Sequence, residues 1–270
     1  LERVRRSYDV GLIFALKPHS TVGYNVLSTE EDINIGGIER SYVGNGGTYK
    51  FITGVGARYK DFAFGFNGGY LFGKIDYRSQ VYFSDQPFAF NNDFYESFNL
   101  SGFIYDFGVT YNLILNKSKL NKEDNTQANK LIFGIYGNSA TTFNAKGKAV
   151  YSGQVTSIDL GTVGRDTLYA DEELEGKGKL PASIGAGVSY LHGKKLMIGA
   201  NYESTFWSQY YNEAKLTQDN LKDAFKLGIG IDYVPNYFSY TNAFARMHYR
   251  AGLNYQTDGR SENGNQFSQG

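Results

Sequence analysis

Three observations predict an all-β protein, a transmembrane antiparallel up-and-down β-barrel. Ten runs of residues alternate with period two, aromatic side chains gather near the ends of those runs, and the connections alternate between short and long. Hydrophobic residues make up 41% of the 270, and 23 Tyr and 20 Phe stand beside one Trp and two Met. Such aromatics favour strands, and only four Pro are present to interrupt ladders. The 27 basic and 27 acidic side chains balance, so no basic surface suited to nucleic acid is expected. Without Cys there is no disulfide, zinc–thiolate site or thiol nucleophile. No apolar window of ~18 residues offers a transmembrane helix. The mean hydropathy of −0.41 resembles that of a soluble protein, but such a scan is blind to barrels, whose strands are apolar on one face only.

The runs follow in order. Tyr8, Val10, Leu12, Phe14 and Leu16 alternate with Asp9, Gly11, Ile13 and Ala15, and Thr21–Ser28 forms a second run. Phe51, Thr53, Val55, Ala57 and Tyr59 oppose Ile52, Gly54, Gly56 and Arg58. In FAFGFNGGYLFGK (Phe62–Lys74), Phe62, Phe64, Phe66, Tyr70 and Phe72 share one face, and Ala63, Gly65, Asn67 and Gly69 the other. Phe103, Tyr105, Phe107, Val109, Tyr111 and Leu113 then oppose Ile104, Asp106, Gly108, Thr110 and Asn112. Leu131, Phe133 and Ile135 follow, then Ile184–Tyr190 and Leu196–Phe206, each alternating with Gly, Asn or Ser. Phe225–Tyr233 and Tyr249–Tyr255 close the series, with Lys226, Asp232 and Arg250 on the polar face.

Several runs exceed the ~5–6 residues of a globular strand and match the ~9–11 that a tilted barrel strand needs to cross a bilayer. Lys17–Ser20, Lys60–Asp61 and Leu191–Lys195 are expected as tight turns, and Ser79–Phe98, Asn144–Leu180 and Gln209–Lys222 as long polar loops. Following the strands up and down puts Lys60–Asp61 and Leu191–Lys195 on one side and Asn144–Leu180 on the other. Asn116–Asn129 and Pro235–Phe244 fall on the tight-turn side although they are longer. Short periplasmic turns and long extracellular loops are the outer-membrane pattern. A soluble β-sandwich with the rings in its core is disfavoured by strand length and loop asymmetry.

Two segments carry a family resemblance. One is FITGVGARYKDFAFGFNGGYLFGKI (Phe51–Ile75), the other KLPASIGAGVSYLHGKKLMIGANYESTFWSQYYN (Lys179–Asn212). Together with ARMHYRAGLNY (Ala245–Tyr255), they resemble the FadL/TodX-type outer-membrane transporters of hydrophobic compounds, in the divergent branch of Bacteroidetes-type bacteria. The resemblance rests on strand patterns and spans nearly the whole chain. It implies a 14-stranded barrel with an N-terminal hatch inside, and passive uptake of fatty acids or other apolar ligands. About ten of those strands are expected here, as a single barrel domain over residues 1–270 that lacks the hatch and the last strands.

No catalytic or metal-binding pattern is present: His19, His192 and His248 form no motif, and no HExxH or GxSxG occurs. The chain is therefore expected to be non-enzymatic and without a cofactor. The lumen-facing polar candidates are Arg58, Asp106, Glu203, Lys226, Asp232 and Arg250, with Asp9 and His248 beside them. Mutual ion pairing is the favoured reading of these charges, and a polar path or hatch-docking network the other. The acidic run YADEELEGKGK and the three Phe of SDQPFAFNNDF are expected on extracellular loops, as solvated surface or contact patches. Two functions compete. One is uptake of hydrophobic small molecules, with a fatty acid as ligand. The other is a non-transporting barrel serving as a structural subunit of a larger outer-membrane complex, with partner membrane proteins. Both place the chain in the bilayer of the bacterial outer membrane.

Overall fold

The computed structural model describes residues 8–86, 89–116, 129–157, 161–215, 220–262 and 265–269. It is an antiparallel sheet curled into a half-barrel, and among the described residues the only helical elements are two single 3-10 turns, Trp207–Gln209 and Phe244–Arg246. The strands are β1 (Tyr8–Asp32), β2 (Gly36–Tyr59), β3 (Phe62–Phe83), β4 (Phe90–Ile114), β5 (Asn129–Asn138), β6 (Thr141–Ser157) and β7 (Gly161–Leu180). They continue as β8 (Ser183–His192), β9 (Leu196–Thr205), β10 (Tyr211–Asn212), β11 (Ala224–Tyr233), β12 (Tyr249–Glu262) and β13 (Asn265–Gln269).

The main path runs β1-β2-β3-β4-β5-β8-β9-β11-β12-β13. β4 serves two neighbours: Asp106–Ile114 pairs with β5, and Phe90–Ser101 pairs with β6. β6 pairs in turn with β7. Only Ser139 and Ala140 separate β5 from β6, and only Pro181 and Ala182 separate β7 from β8, so each pair is one long strand broken at the same level. Pro181 has no N–H to give a ladder, which makes it a natural break. Asn138 bridges the gap: its Nδ2 donates to the carbonyls of Ser139 (3.2 Å) and Pro181 (3.0 Å), and Ser183 Oγ donates to its Oδ1.

Lys17–Ser20 is not a turn. β1 runs through it and takes in Thr21–Ser28, with a register shift between the Pro18–Tyr49 and Ser20–Thr48 pairs that leaves His19 as the extra residue of a β-bulge. Pro18 is tolerated because β1 has only β2 as a ladder partner among the described residues. The first two expected strands are therefore one. Lys60–Asp61 does turn, with Lys60 at φ 55°, and it shares a rim with the β8–β9 turn, opposite the β6–β7 hairpin.

Ser79–Phe98 and Asn144–Leu180 are also mostly strand, the hairpins β3–β4 and β6–β7. They were hidden because the apolar face changes sides. On lower β4, Phe103, Tyr105 and Phe107 are exposed on the outside. Higher up, Phe98 is buried on the inside with Leu100 packed beside it, while Asp93, Tyr95, Ser97 and Asn99 occupy the outward positions. β3 switches between Phe72, outside, and Ile75 and Tyr77, which line the interior. The upper half thus has an ordinary core, Phe98, Phe143, Ala145 and Ala214 with Tyr77, Leu100, Leu180 and Tyr210 around it. Burying each large apolar side chain there stabilises by ~1.5–3 kcal/mol. Gly178 fits the same design, because the Phe143 ring occupies the space where a Cβ would stand.

Candidate functional site

The outer face of the lower half is one continuous apolar belt. A single register row crosses all nine strands at this level: Val10, Ala57, Phe64, Val109, Ile135, Ala186, Tyr202, Leu227 and Tyr255. Phe64 is 54% exposed, Leu12 74% and Leu253 81%. Rings this open, in register from strand to strand, have no protein core to enter and fit a hydrocarbon surround. Cross-strand ring pairs mark the belt, including Phe62–Tyr111 at 4.6 Å and Tyr70–Phe103 at 5.3 Å.

The inner face of this half carries all six expected lumen charges. The structure gathers some and leaves others apart. Arg58 lies 3.9 Å from Asp9, its register partner. Glu203 accepts a hydrogen bond from Tyr136 Oη at 2.9 Å and faces Lys226 across the ladder. Asp232 holds both His248 (2.9 Å) and Arg250 (3.0 Å) at the short-turn rim. Asp106 sits in a different row, between Asn67 and Asn138. These groups line the wall from β1 to β12 as local pairs and do not converge on one centre. Between them Gly11, Gly56, Gly65 and Gly108 form a side-chain-free stretch of one row.

Above the belt the chemistry is that of a soluble surface. Arg78 Nε and Nη2 both donate to the Asp93 carboxylate at 2.8 Å, and Gln154 adds a bond at 3.1 Å. These bonds to Asp93 raise the Arg78 pKa, against partial desolvation. Tyr95 Oη donates to Asp76 at 3.0 Å, and Lys148 lies over the Tyr95 ring. Facing inward, Tyr151 Oη donates to Glu96 at 2.7 Å, and burial followed by that bond pushes its pKa up. Beneath, the curl of the sheet brings β1 and β13 to the same cavity of about 860 Å³, lined by Leu71, Phe98, Phe143, Leu180 and Trp207 among others. The aromatic contact patch expected around SDQPFAFNNDF is divided: Phe90 is exposed, Phe94 packs edge-on against Tyr151, and Pro87 and Phe88 lie outside the described residues. Most of Asn116–Asn129 lies outside them as well.

A model of the BamG family matches residues 5–269. The chain belongs to the BamG family. BamG is a component of the BAM outer-membrane assembly complex, and the chain is accordingly an outer-membrane protein, as its belt requires. No curated protein and no solved structure matches it. BamG membership overturns the FadL/TodX resemblance, and the uptake of hydrophobic compounds that it implied is left without support. The quoted segments are belt strands and their turns. Their aromatic alternation reports the solvent around a strand, which any outer-membrane barrel shares, and not what the barrel does.

Sequence reading missed two structural features. One is the upper arm, whose signal was the shift in phase of the apolar residues between Leu100 and Phe103. The other is the β11–β12 connection, whose signal was four aromatic residues in a short-side loop.

Proposed function

We propose that this chain is a non-transporting accessory subunit of the outer-membrane assembly complex, anchored by its belt and holding partner proteins through the parts that stand clear of the membrane. The observation that carries the reading is the BamG match across nearly the whole chain. The arm supports it. β3 continues from Phe72 to Phe83, about 35 Å of strand beyond the belt. A barrel that only sealed the membrane would not need a packed core at that height, with a polar outer wall of paired charges. The lumen charges hold the curled wall together as local ion pairs and hydrogen bonds, and no catalytic step is assigned to them.

The test shortens the arm. Lys146 and Glu175 face each other in register and form an ion pair at 2.5 Å. Replacing residues 147–174 by Asn-Gly closes the hairpin one row above them with a two-residue turn. The variant is expected to insert into the outer membrane as the wild type does, judged by heat-modifiable migration on gels. It is expected to lose partner subunits when the complex is purified in mild detergent, and to slow assembly of other outer-membrane proteins. An inserted variant that keeps every partner and full assembly activity would overturn the reading of the arm.

A further inference from the structure

We propose that the β11–β12 connection, residues 234–248, is a preformed aromatic and basic platform on the short-turn rim that docks an acidic protein surface of a partner subunit. The inference rests on the accessory-subunit reading. Other described turns on this rim are brief: two residues at Lys60–Asp61 and three between His192 and Leu196. Between Tyr233 and Tyr249 the chain spends fifteen. Short turns are the rule on the periplasmic side, and a loop of this length calls for a use.

The loop is tied down by its own polar groups. Val234 is buried at its base, and its N–H donates to Lys195 O at 2.8 Å. Asn236 N donates to Ala245 O at 2.8 Å, bringing the two limbs together. Asn236 Oδ1 accepts from Phe238 N, Ser239 Oγ from Asn242 N, and Asn242 Oδ1 from Phe244 N. Tyr249 Oη donates to Phe244 O at 3.1 Å. Satisfying the backbone internally fixes the shape while the large side chains stay outside. Tyr240 is 94% exposed, Phe244 69% and Phe238 61%, with Tyr237 and Met247 beside them.

Charge selects the partner. From Val234 to Met247 the sequence holds no Asp or Glu. Lys194, from the neighbouring turn, lies 4.7 Å from the Tyr237 ring centre and 5.7 Å from that of Phe238. Arg246 and Lys195 add positive charge, and the nearby carboxylate of Asp232 is already engaged by His248 and Arg250. Exposed aromatics with Arg are the residues that anchor protein interfaces, and a loop ordered beforehand loses less entropy on docking. A lipid surface would also welcome aromatic and basic residues. It would not require this degree of ordering, since the interface still supplies water to the backbone. The loop also lies beyond Tyr233 and Tyr249, which face each other where the belt ends.

The experiment uses the intact complex. A photo-crosslinking amino acid in place of Tyr240 is expected to give an adduct with a protein subunit of the complex. Tyr240→Ser with Phe244→Ser is expected to cut retention of that subunit by about tenfold or more, the scale of one lost anchor. Lys194→Glu with Arg246→Glu is expected to weaken retention at low salt and less at high salt, because exposed charges are screened. Crosslinks to lipid alone, or unchanged retention in both variants with the barrel folded, would overturn the proposal. If the arm-shortened protein still loses partners in that case, the accessory-subunit reading stands and only the platform falls.

Discussion

Replacing Ile229 by Arg tests what surrounds the belt. Ile229 is 52% exposed, sits midway along β11, and lies between Ala200 of β9 and Leu253 of β12 on the outer face. If that face meets hydrocarbon, a guanidinium there costs ~2–4 kcal/mol near the midplane, and the cost falls to ~0–1 kcal/mol near an interface. Tyr233, at the end of the same strand, supplies the interfacial comparison, so Tyr233→Arg is expected to cost far less than Ile229→Arg. Gly230→Ser is the inward control: an added Cβ would meet only Ala251 O, at 3.9 Å, and the change should stay within about 0.5 kcal/mol. The assay is reversible denaturant unfolding in lipid vesicles, read as a shift in midpoint at constant slope. If Ile229→Arg is neutral, or costs no more than Tyr233→Arg, the assignment of this face to lipid is refuted.

Three further outcomes follow from the upper half. Phe98→Ala is expected to destabilise the arm by ~3–5 kcal/mol, measured by hydrogen exchange of β4 and β6, because Phe98 is only 2% exposed in its core. Asn138→Ala should loosen the break between wall and arm by ~1–3 kcal/mol, seen as faster exchange at Ser183 and its neighbours, since several polar groups lose their partner. Asp258 is expected to make the β12–β13 end acid-sensitive. Hydrogen bonds from Arg260 hold its pKa below the ordinary 3.8, so its contribution is complete above that value and fades as pH falls through the lower, folded one. Trp207, the chain's one tryptophan, packs against Gly259 and reports the change: its fluorescence should step below about pH 4 in the wild type and not in Asp258→Asn.

The belt was legible because its physics is local. Each of Phe62, Phe64 and Phe66 announces its face by alternating with Ala63, Gly65 and Asn67, and the lumen charges follow from the same alternation. Their partners were not legible: Glu203 bonds Tyr136, sixty-seven residues away, through a register that only the folded sheet defines. Above the belt, the residues around Ser101 change from apolar-outside to apolar-inside, so a period-two template carried up from below slips out of phase and reports a loop. At Pro18 and His19, the residue types that make turns instead make a bulge on a strand whose other edge has no ladder partner among the described residues. Family membership lay beyond the alternation altogether, because belt strands obey the same lipid whatever the barrel serves.

The change of sides is the central structural claim, and the absence of native Cys makes it directly measurable. Single cysteines placed along β4, one at a time from Asp93 to Val109, would carry a nitroxide whose accessibility to oxygen and to a water-soluble nickel chelate is read in the reconstituted protein. The expected profile has oxygen dominant at Phe103, Tyr105, Phe107 and Val109. The nickel chelate should dominate at Tyr95 and Asn99, with low access to either reagent at the buried Asp93, Ser97 and Phe98. Oxygen dominance continuing unbroken through Asn99 and Tyr95, or chelate dominance at Phe103 and Tyr105, would contradict it.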